Sequence, residues 1–451
     1  MRTKKQLDIL NGSLWDKIIL FALPLAVSSI LQQLFNAADV AVVGSFSGSE
    51  ALAAVGANSP VINLLVNLFV GLSIGANVVV ASFIGQNDEK RTRKAVHTSL
   101  LLSIISGFVL LVIGIVFARP ILEIISTPED ILDLAVLYLQ IYFAGMPFIM
   151  LYNFEAAILR SKGDTKRPLI ALSISGVVNI ILNLFLVAVM KMSVEGVAIA
   201  TVISNIISSL MLLYTLMHEI DVLKVEKKLL HIDWSILKRI AKIGIPAGLQ
   251  GVVFSLSNVV IQTAVNALGS SAVAASAAAL NLEYFAYYVC SAFAQAATTF
   301  IGQNYAAKQY HRCKQITKWS MLLGAISTVS VCFIFIICRK FFIGFFTSDP
   351  IVAEFAYTRI CIILTFEVLN MTIEILSGCL RGIGFSTTPA IICVAGICGV
   401  RIFYIYTIYP AIASYANLMW IYPISWVFTS LSLVIAYFIL QKKAYPKVTI
   451  A

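Results

Sequence analysis

Charge is scarce in this sequence. Asp, Glu, Lys and Arg make up only 12% of its 451 residues, and there are four His. A soluble globular chain carries roughly 25% charged residues, so a water-bathed fold is excluded. Cysteine is absent before residue 290; the eight present carry no CxxC, and most lie inside apolar runs. That excludes a disulfide or zinc framework and leaves the thiols as small core hydrophobes. No P-loop, HExxH or GxSxG occurs, so nothing argues for ATP hydrolysis or hydrolytic catalysis. The opening MRTKKQLDILNGSLWD has no cleavage site after a short apolar core and reads as a tail.

What the chain has instead is apolar length. Hydrophobic residues make up 60%, arranged in twelve runs near 15–44, 51–83, 95–117, 132–157, 168–190, 196–217, 237–266, 272–301, 316–338, 353–379, 389–411 and 418–441. A bilayer core about 30 Å thick needs ~20 helical residues, so the class predicted is an all-α polytopic membrane protein with twelve transmembrane helices. The second and eighth runs are long enough to tilt or kink, with Pro60 suited to the kink. The longest polar connection, HEIDVLKVEKKLLHIDWS, divides the spans into two sets of six. The predicted organisation is a tail at 1–14, a first lobe at 15–217, a connection at 218–236, a second lobe at 237–441 and a tail at 442–451.

The net charge of +10 is a matter of topology and not of nucleic acid. With the N-terminus inside, 26 of the 32 Lys and Arg fall on the cytoplasmic side, and the outer loops hold only Arg119, Lys191, Arg339 and Lys340. This asymmetry places both termini in the cytoplasm of a cell membrane. Arg359 and Arg401 remain inside spans.

The halves repeat. FIGQN occurs at 83–87 and 300–304; Pro24 with Asn36 matches Pro246 with Asn258; LRSKGDTKRP at 159–168 matches LRGIGFSTTP at 380–389. Six spans per half give both copies the same orientation, hence two pseudo-symmetric parallel repeats. The Gly and Pro of these motifs suit tight turns at the cytoplasmic face, where the four His (97, 218, 231, 311) are read as solvated.

Polar residues inside spans mark the candidate sites. Gln32, Asn36, Asp39 and Val43 follow at i, i+4, i+7 and i+11, making one polar stripe on the first helix. A carboxylate such as Asp39 costs at least ~2.5 kcal/mol near the bilayer centre unless it meets water, a partner or a proton. Counted along their spans, Asn179, Asn183 and Thr201 fall at a similar depth. Their oxygens suit Na⁺, Asp39 can alternatively hold a proton, and the bland alternative is interhelical hydrogen bonding. The second half offers Glu283, Glu367, Glu374 and Arg401, read as an ion pair of Glu367 or Glu374 with Arg401, or as a cation-attracting wall. Glu155, beside Arg160, is read as structural.

At these residues the sequence resembles the multidrug and toxic compound extrusion (MATE) family. The resemblance rests on Pro24 with Asp39, the FIGQN and GQN motifs, the Arg–Gly–Pro loops, and Glu283 in ALNLE. It implies two six-helix lobes around a V-shaped cavity and an antiporter exchanging substrate for Na⁺ or H⁺. The family's first-lobe site resembles Asp39, N-x-x-x-D and a Thr; here it reads Asn179-x-x-x-Asn183 with Thr201. The missing second acid weakens Na⁺ more than H⁺, which favours proton coupling.

The function expected is a monomeric secondary antiporter exporting small organic, often cationic, compounds, with no cofactor beyond the coupling ion and no nucleic-acid partner. Asp39, Asn179, Asn183 and Thr201 are assigned to H⁺ or Na⁺, and Gln33, Asn36, Asn258 and Glu283 to the substrate cavity. The rivals are a flippase for a lipid or lipid-linked sugar, which would call for a densely basic cavity, and a membrane-embedded enzyme, which would need clustered metal ligands. Arg401, read as the one deeply placed base, argues against the flippase.

Overall fold

A computed structural model describes residues 7–125 and 127–445, so positions 1–6 and 446–451 of the two expected tails lie outside the described residues. Among those described, the chain is helical with short turns and no strand. The first half is α1 (Trp15–Phe46), α2 (Gly48–Gly85), α3 (Glu89–Ile124), α4 (Glu129–Ala144), α5 (Met146–Ser161), α6 (Lys166–Asn183) and α7 (Val194–Met217). The second is α8 (Trp234–Asn266), α9 (Ser270–Ala306), α10 (Tyr310–Ile337), α11 (Arg339–Gly344), α12 (Pro350–Ile383), α13 (Thr387–Cys393), α14 (Val400–Phe403), α15 (Tyr415–Met419) and α16 (Ile421–Ala444).

Among the described residues ten helical stretches are long and apolar enough to cross a membrane, or eleven with the bent pair α4 and α5. The twelfth expected span is α9, 37 residues long, whose Ala, Ser, Gln and Tyr make it less apolar than the rest. The bend between α4 and α5 is 46°, at Gly145, where one span at 132–157 was expected. Pro147 follows in the first turn of α5 and has no N–H to give the preceding turn. Pro60, the anticipated kink, lies within an uninterrupted α2.

The described residues form two compact units, one covering Val27–Gly248 and the other Ile9–Ala26 with the chain from Leu249 onward. The first part of α1 thus belongs with the second half of the sequence, and the connection with the first part of α8 belongs with the first half.

Small residues let the helices of the first unit approach closely. A Cβ on Gly71 would meet Gly248 N at 2.3 Å, and one on Gly75 would meet Ile240 O at 2.4 Å, so α2 and α8 cross backbone to backbone. Buried amides tie α2 to α4 and α5: Asn58 Nδ2 donates to Ala135 O at 3.0 Å and Asn77 Nδ2 to Ala157 O at 2.9 Å. In the second unit Thr298 Oγ1 donates to Gly378 O at 3.1 Å, joining α9 to α12. Outward faces remain apolar, as Ile105, Phe108, Val112 and Val116 on α3 show at helical spacing.

Candidate functional site

The expected polar stripe on α1 divides. Gln32 and Asn36 are exposed and Gln33 is half-buried, whereas Asp39 is 8% exposed and Val43 fully buried within the first unit. Gly176 is what brings α6 against α1 here. A Cβ on it would lie 1.8 Å from the Phe35 ring, so the ring packs directly on the α6 backbone. Asp39 is one turn beyond Phe35, and Asn179 and Asn183 follow Gly176 at one and two turns, so the carboxylate meets the amides.

All four expected ion-site residues meet. Asp39 Oδ1 accepts from Asn183 Nδ2, and Oδ2 accepts from Thr201 Oγ1 at 3.2 Å. Asn183 Nδ2 also donates to Asn179 Oδ1 at 3.2 Å. Asn183 Oδ1 is buried with no partner. Turning that amide about its last bond would bring a second oxygen toward the carboxylate, the rearrangement a Na⁺ or a protonated Asp39 requires. Tyr138 and Tyr142, one turn apart on α4, are close enough to feel the Asp39 charge, and sequence reading passed over them. A π-helical turn, Leu184–Val189, begins right after Asn183; such turns recur at functional sites. No group of three or more His, Cys, Asp or Glu placed to hold a metal occurs among the described residues. One carboxylate with neutral oxygens suits a monovalent ion or a proton.

The second unit corrects the expected ion pair. Arg401 bonds to neither Glu367 nor Glu374. Arg359, fully buried on α12, is bidentate to Glu283 on α9, with Nε to Oε1 at 2.6 Å and Nη2 to Oε2 at 2.9 Å. Arg401 is therefore not the one deeply placed base, and Glu283, expected in the cavity wall, has its charge matched internally. Glu367 Oε1 instead accepts from Asn370 Nδ2 at 2.8 Å. Arg359 and Arg401 both lie over Tyr422, at 5.4 and 4.6 Å from its ring centroid. Asn258 is exposed and accepts from Arg401 Nη1 at 3.1 Å. Arg401 is carried on α14 between two π-helical turns, Val394–Gly399 and Tyr404–Ile408.

Other expectations divide. The first FIGQN ends α2 with Asn87 at φ +52°, but the second lies inside α9, which turns at Lys308, φ +61°. Gly163 and Gly384, φ +93° and +99°, close both Arg–Gly–Pro loops. His97 is not solvated: it is 1% exposed, Nδ1 meets Arg93 O at 2.7 Å, and Nε2 accepts from Glu226 N at 3.0 Å. Glu155 is fully buried, and neither of its carboxylate oxygens has a partner, so Arg160 does not pair with it. Five of the eight free cysteines are buried, and Cys338 is exposed.

The MatE family model matches residues 24–185 and again 246–407. A probable multidrug resistance protein of Bacillus subtilis, YoeA, is 29% identical over 86% of each chain. The probable multidrug resistance protein NorM of Thermotoga maritima is 26% identical over 83% of this chain and 82% of its own. A solved outward-facing structure of a multidrug resistance MATE family transporter of the MOP superfamily gives a TM-score of 0.92 at 21% identity, covering 98% of this chain and 99% of the other.

Proposed function

The chain belongs to the MatE family, and from that membership together with the Asp39 site we propose that it is a secondary antiporter driving small organic compounds out of the cytoplasm in exchange for protons. Multidrug resistance is what these relatives are named for. The observation that carries the coupling is that Asp39 is buried and held by the neutral Asn183 and Thr201, with no ion pair to a Lys or Arg among the described residues. A coupling group has to differ in affinity between two states. A carboxylate without a fixed counter-ion does so, because charging it depends on what enters the site. Na⁺ remains the competing ion, and Asn183, where the resemblance implies an acid, is what tips the reading to H⁺.

The basic-residue asymmetry supports a plasma-membrane protein with both termini inside; the proposed form is a monomer acting on small organic, often cationic, compounds. Gln33 and Asn36 in the first unit and Asn258 in the second keep accessible polar surface for such compounds. The flippase reading gains little, because Glu283 neutralises Arg359 and leaves Arg401 as a lone base. The test is dye export from proteoliposomes with a pH gradient and a Na⁺ gradient imposed separately. Export driven by the pH gradient alone supports the reading, and export driven by Na⁺ alone replaces the ion.

A further inference from the structure

The coupling site leaves Arg401 unexplained. It is 2% exposed, and each of its partners is neutral. Nε donates to Ser425 Oγ at 3.2 Å, and Nη1 donates to Ser257 Oγ and Asn258 Oδ1 at 3.1 Å each. The face of the guanidinium lies over Tyr422. Among the described residues Nη2 has no hydrogen-bond partner and no carboxylate comes within ion-pair distance of Arg401. The neighbouring ion pair, Arg359 with Glu283, balances itself.

Arg359 shows how this unit treats a base that serves structure: it is clamped by a bidentate carboxylate. Arg401 is equally buried and unmatched. Glu367 faces Asn370 and Cys290 and makes no ion pair. An uncompensated charge in an apolar surrounding is costly, and a bound anion would remove that cost. Access is present, since the exposed Asn258 stands beside the guanidinium and its Nδ2 makes no hydrogen bond among the described residues. An aromatic face adjoins the cluster: Tyr284, exposed and next to Glu283 in sequence, stacks on Tyr288 at 6.1 Å.

We propose that Arg401, with Asn258 and the ring of Tyr422 beside it, is a binding site for the anionic group of a small aromatic compound, a carboxylate above all. The compounds accepted are then acids or zwitterions as well as cations, with the amine or ring held elsewhere. The proposal rests on the export reading for its ligand. Its test is equilibrium binding, which needs no gradient and so stands apart from coupling.

The probes are a xanthene dye with a free ring carboxylate and the methyl ester of the same dye. Binding to purified protein in lipid nanodiscs is followed by fluorescence anisotropy. The wild type should bind the acid more tightly than the ester. Arg401→Gln should weaken the acid roughly tenfold, the size of a lost charge-assisted hydrogen bond, and leave the ester within about twofold. Arg401→Lys should restore part of the preference, because a point charge remains. Repeating the titration in chloride and in gluconate separates a free inorganic anion, which chloride would supply in competition with the acid, from the compound's own carboxylate. Equal binding of acid and ester by the wild type, or equal weakening of both by Arg401→Gln, overturns the proposal alone. Binding of neither dye overturns it together with the substrate class.

Discussion

Asp39 in the first unit is ringed by Asn179, Asn183 and Thr201; the corresponding ground in the second unit is held by two arginines. The family matches are displaced by 222 residues, 246 against 24 and 407 against 185, and the Arg–Gly–Pro loops by 221. At those offsets Arg401 falls on Asn179 or Ile180, Tyr422 on Ala200 or Thr201, Arg359 on Leu137 or Tyr138, and Asn258 on Asn36 or Ala37. Asp39 itself falls on Val260 or Ile261. The matching regions thus carry charge of opposite sign, although no base takes the position of Asp39 itself. Away from these stations the contrast reverses. The first unit carries ion pairs at its helix ends and loops, such as Lys94–Asp233 and Arg119–Glu123, whereas the second holds the buried Arg359–Glu283 clamp. A duplicated fold fixes where a side chain arrives and leaves its chemistry free to diverge.

The sharpest way to break this contrast is to remove the lone acid. Asp39→Asn keeps the size and most hydrogen bonds of the side chain but cannot titrate. Export driven by an imposed gradient should fall to background while the protein still elutes as a folded species. Asn183→Asp, which restores a second acid beside the first, should raise the dependence on Na⁺. Full export by Asp39→Asn under either gradient would remove the first unit from the coupling role.

The clamp of the second unit should answer in stability and not in coupling. Glu283→Gln leaves a fully buried guanidinium without its counter-charge, a loss of about 3 kcal/mol or more, seen as an earlier thermal transition in detergent. Arg359→Gln in the same protein should recover part of it, because the isolated charge is gone. If the double variant is as unstable as the single one, packing and not charge is what the pair supplies.

How far the sequence carried these two sites differs for a physical reason. The Asp39 site was legible because each member is a polar residue in an apolar helix at a countable depth, and depth alone brings them level. The Glu283–Arg359 clamp was not, although both residues were noted, since depth does not give the rotation of two helices 76 residues apart. The break at Gly145 was missed because Pro60 offered a more obvious kink. An intact α2 shows that a proline in the run does not by itself break a helix whose neighbours hold it. The second FIGQN failed as a turn because α9 runs two residues further, to Ala306, with its left-handed residue at Lys308, and an identical pentapeptide does not choose where a helix stops.

Where the two halves do agree, the agreement can be measured. Gly163 and Gly384 adopt the same left-handed conformation 221 residues apart. An alanine at either should cost about 1 kcal/mol, and the two losses, read by thermal unfolding, should match within a few tenths. A clear loss at only one would mean that the loops have diverged as the charges have.

The smallest effect expected is confined to the first unit's surface. The connection is fastened there by Lys94 to Asp233 at 3.1 Å, by Lys162 with Asp221, and by Asp233 N donating to Thr98 Oγ1 at 3.1 Å. The Ser235 hydroxyl, then Lys94, then the Ile236 backbone N–H hold the Asp233 carboxyl well below the usual carboxylate range. A lowered value means that the ionised form favours the folded strap. That contribution is whole above the unfolded carboxylate value of about 4 and is lost as pH falls through the folded one. Hydrogen exchange of residues 218–235 should therefore stay flat between about pH 5 and 8 after correction for the intrinsic rate, and quicken only in stronger acid. Asp233→Asn should bring a modest quickening at neutral pH and flatten the acid limb. A loss of protection already between about pH 7 and 5 would take the fastening away from the Asp233 carboxylate.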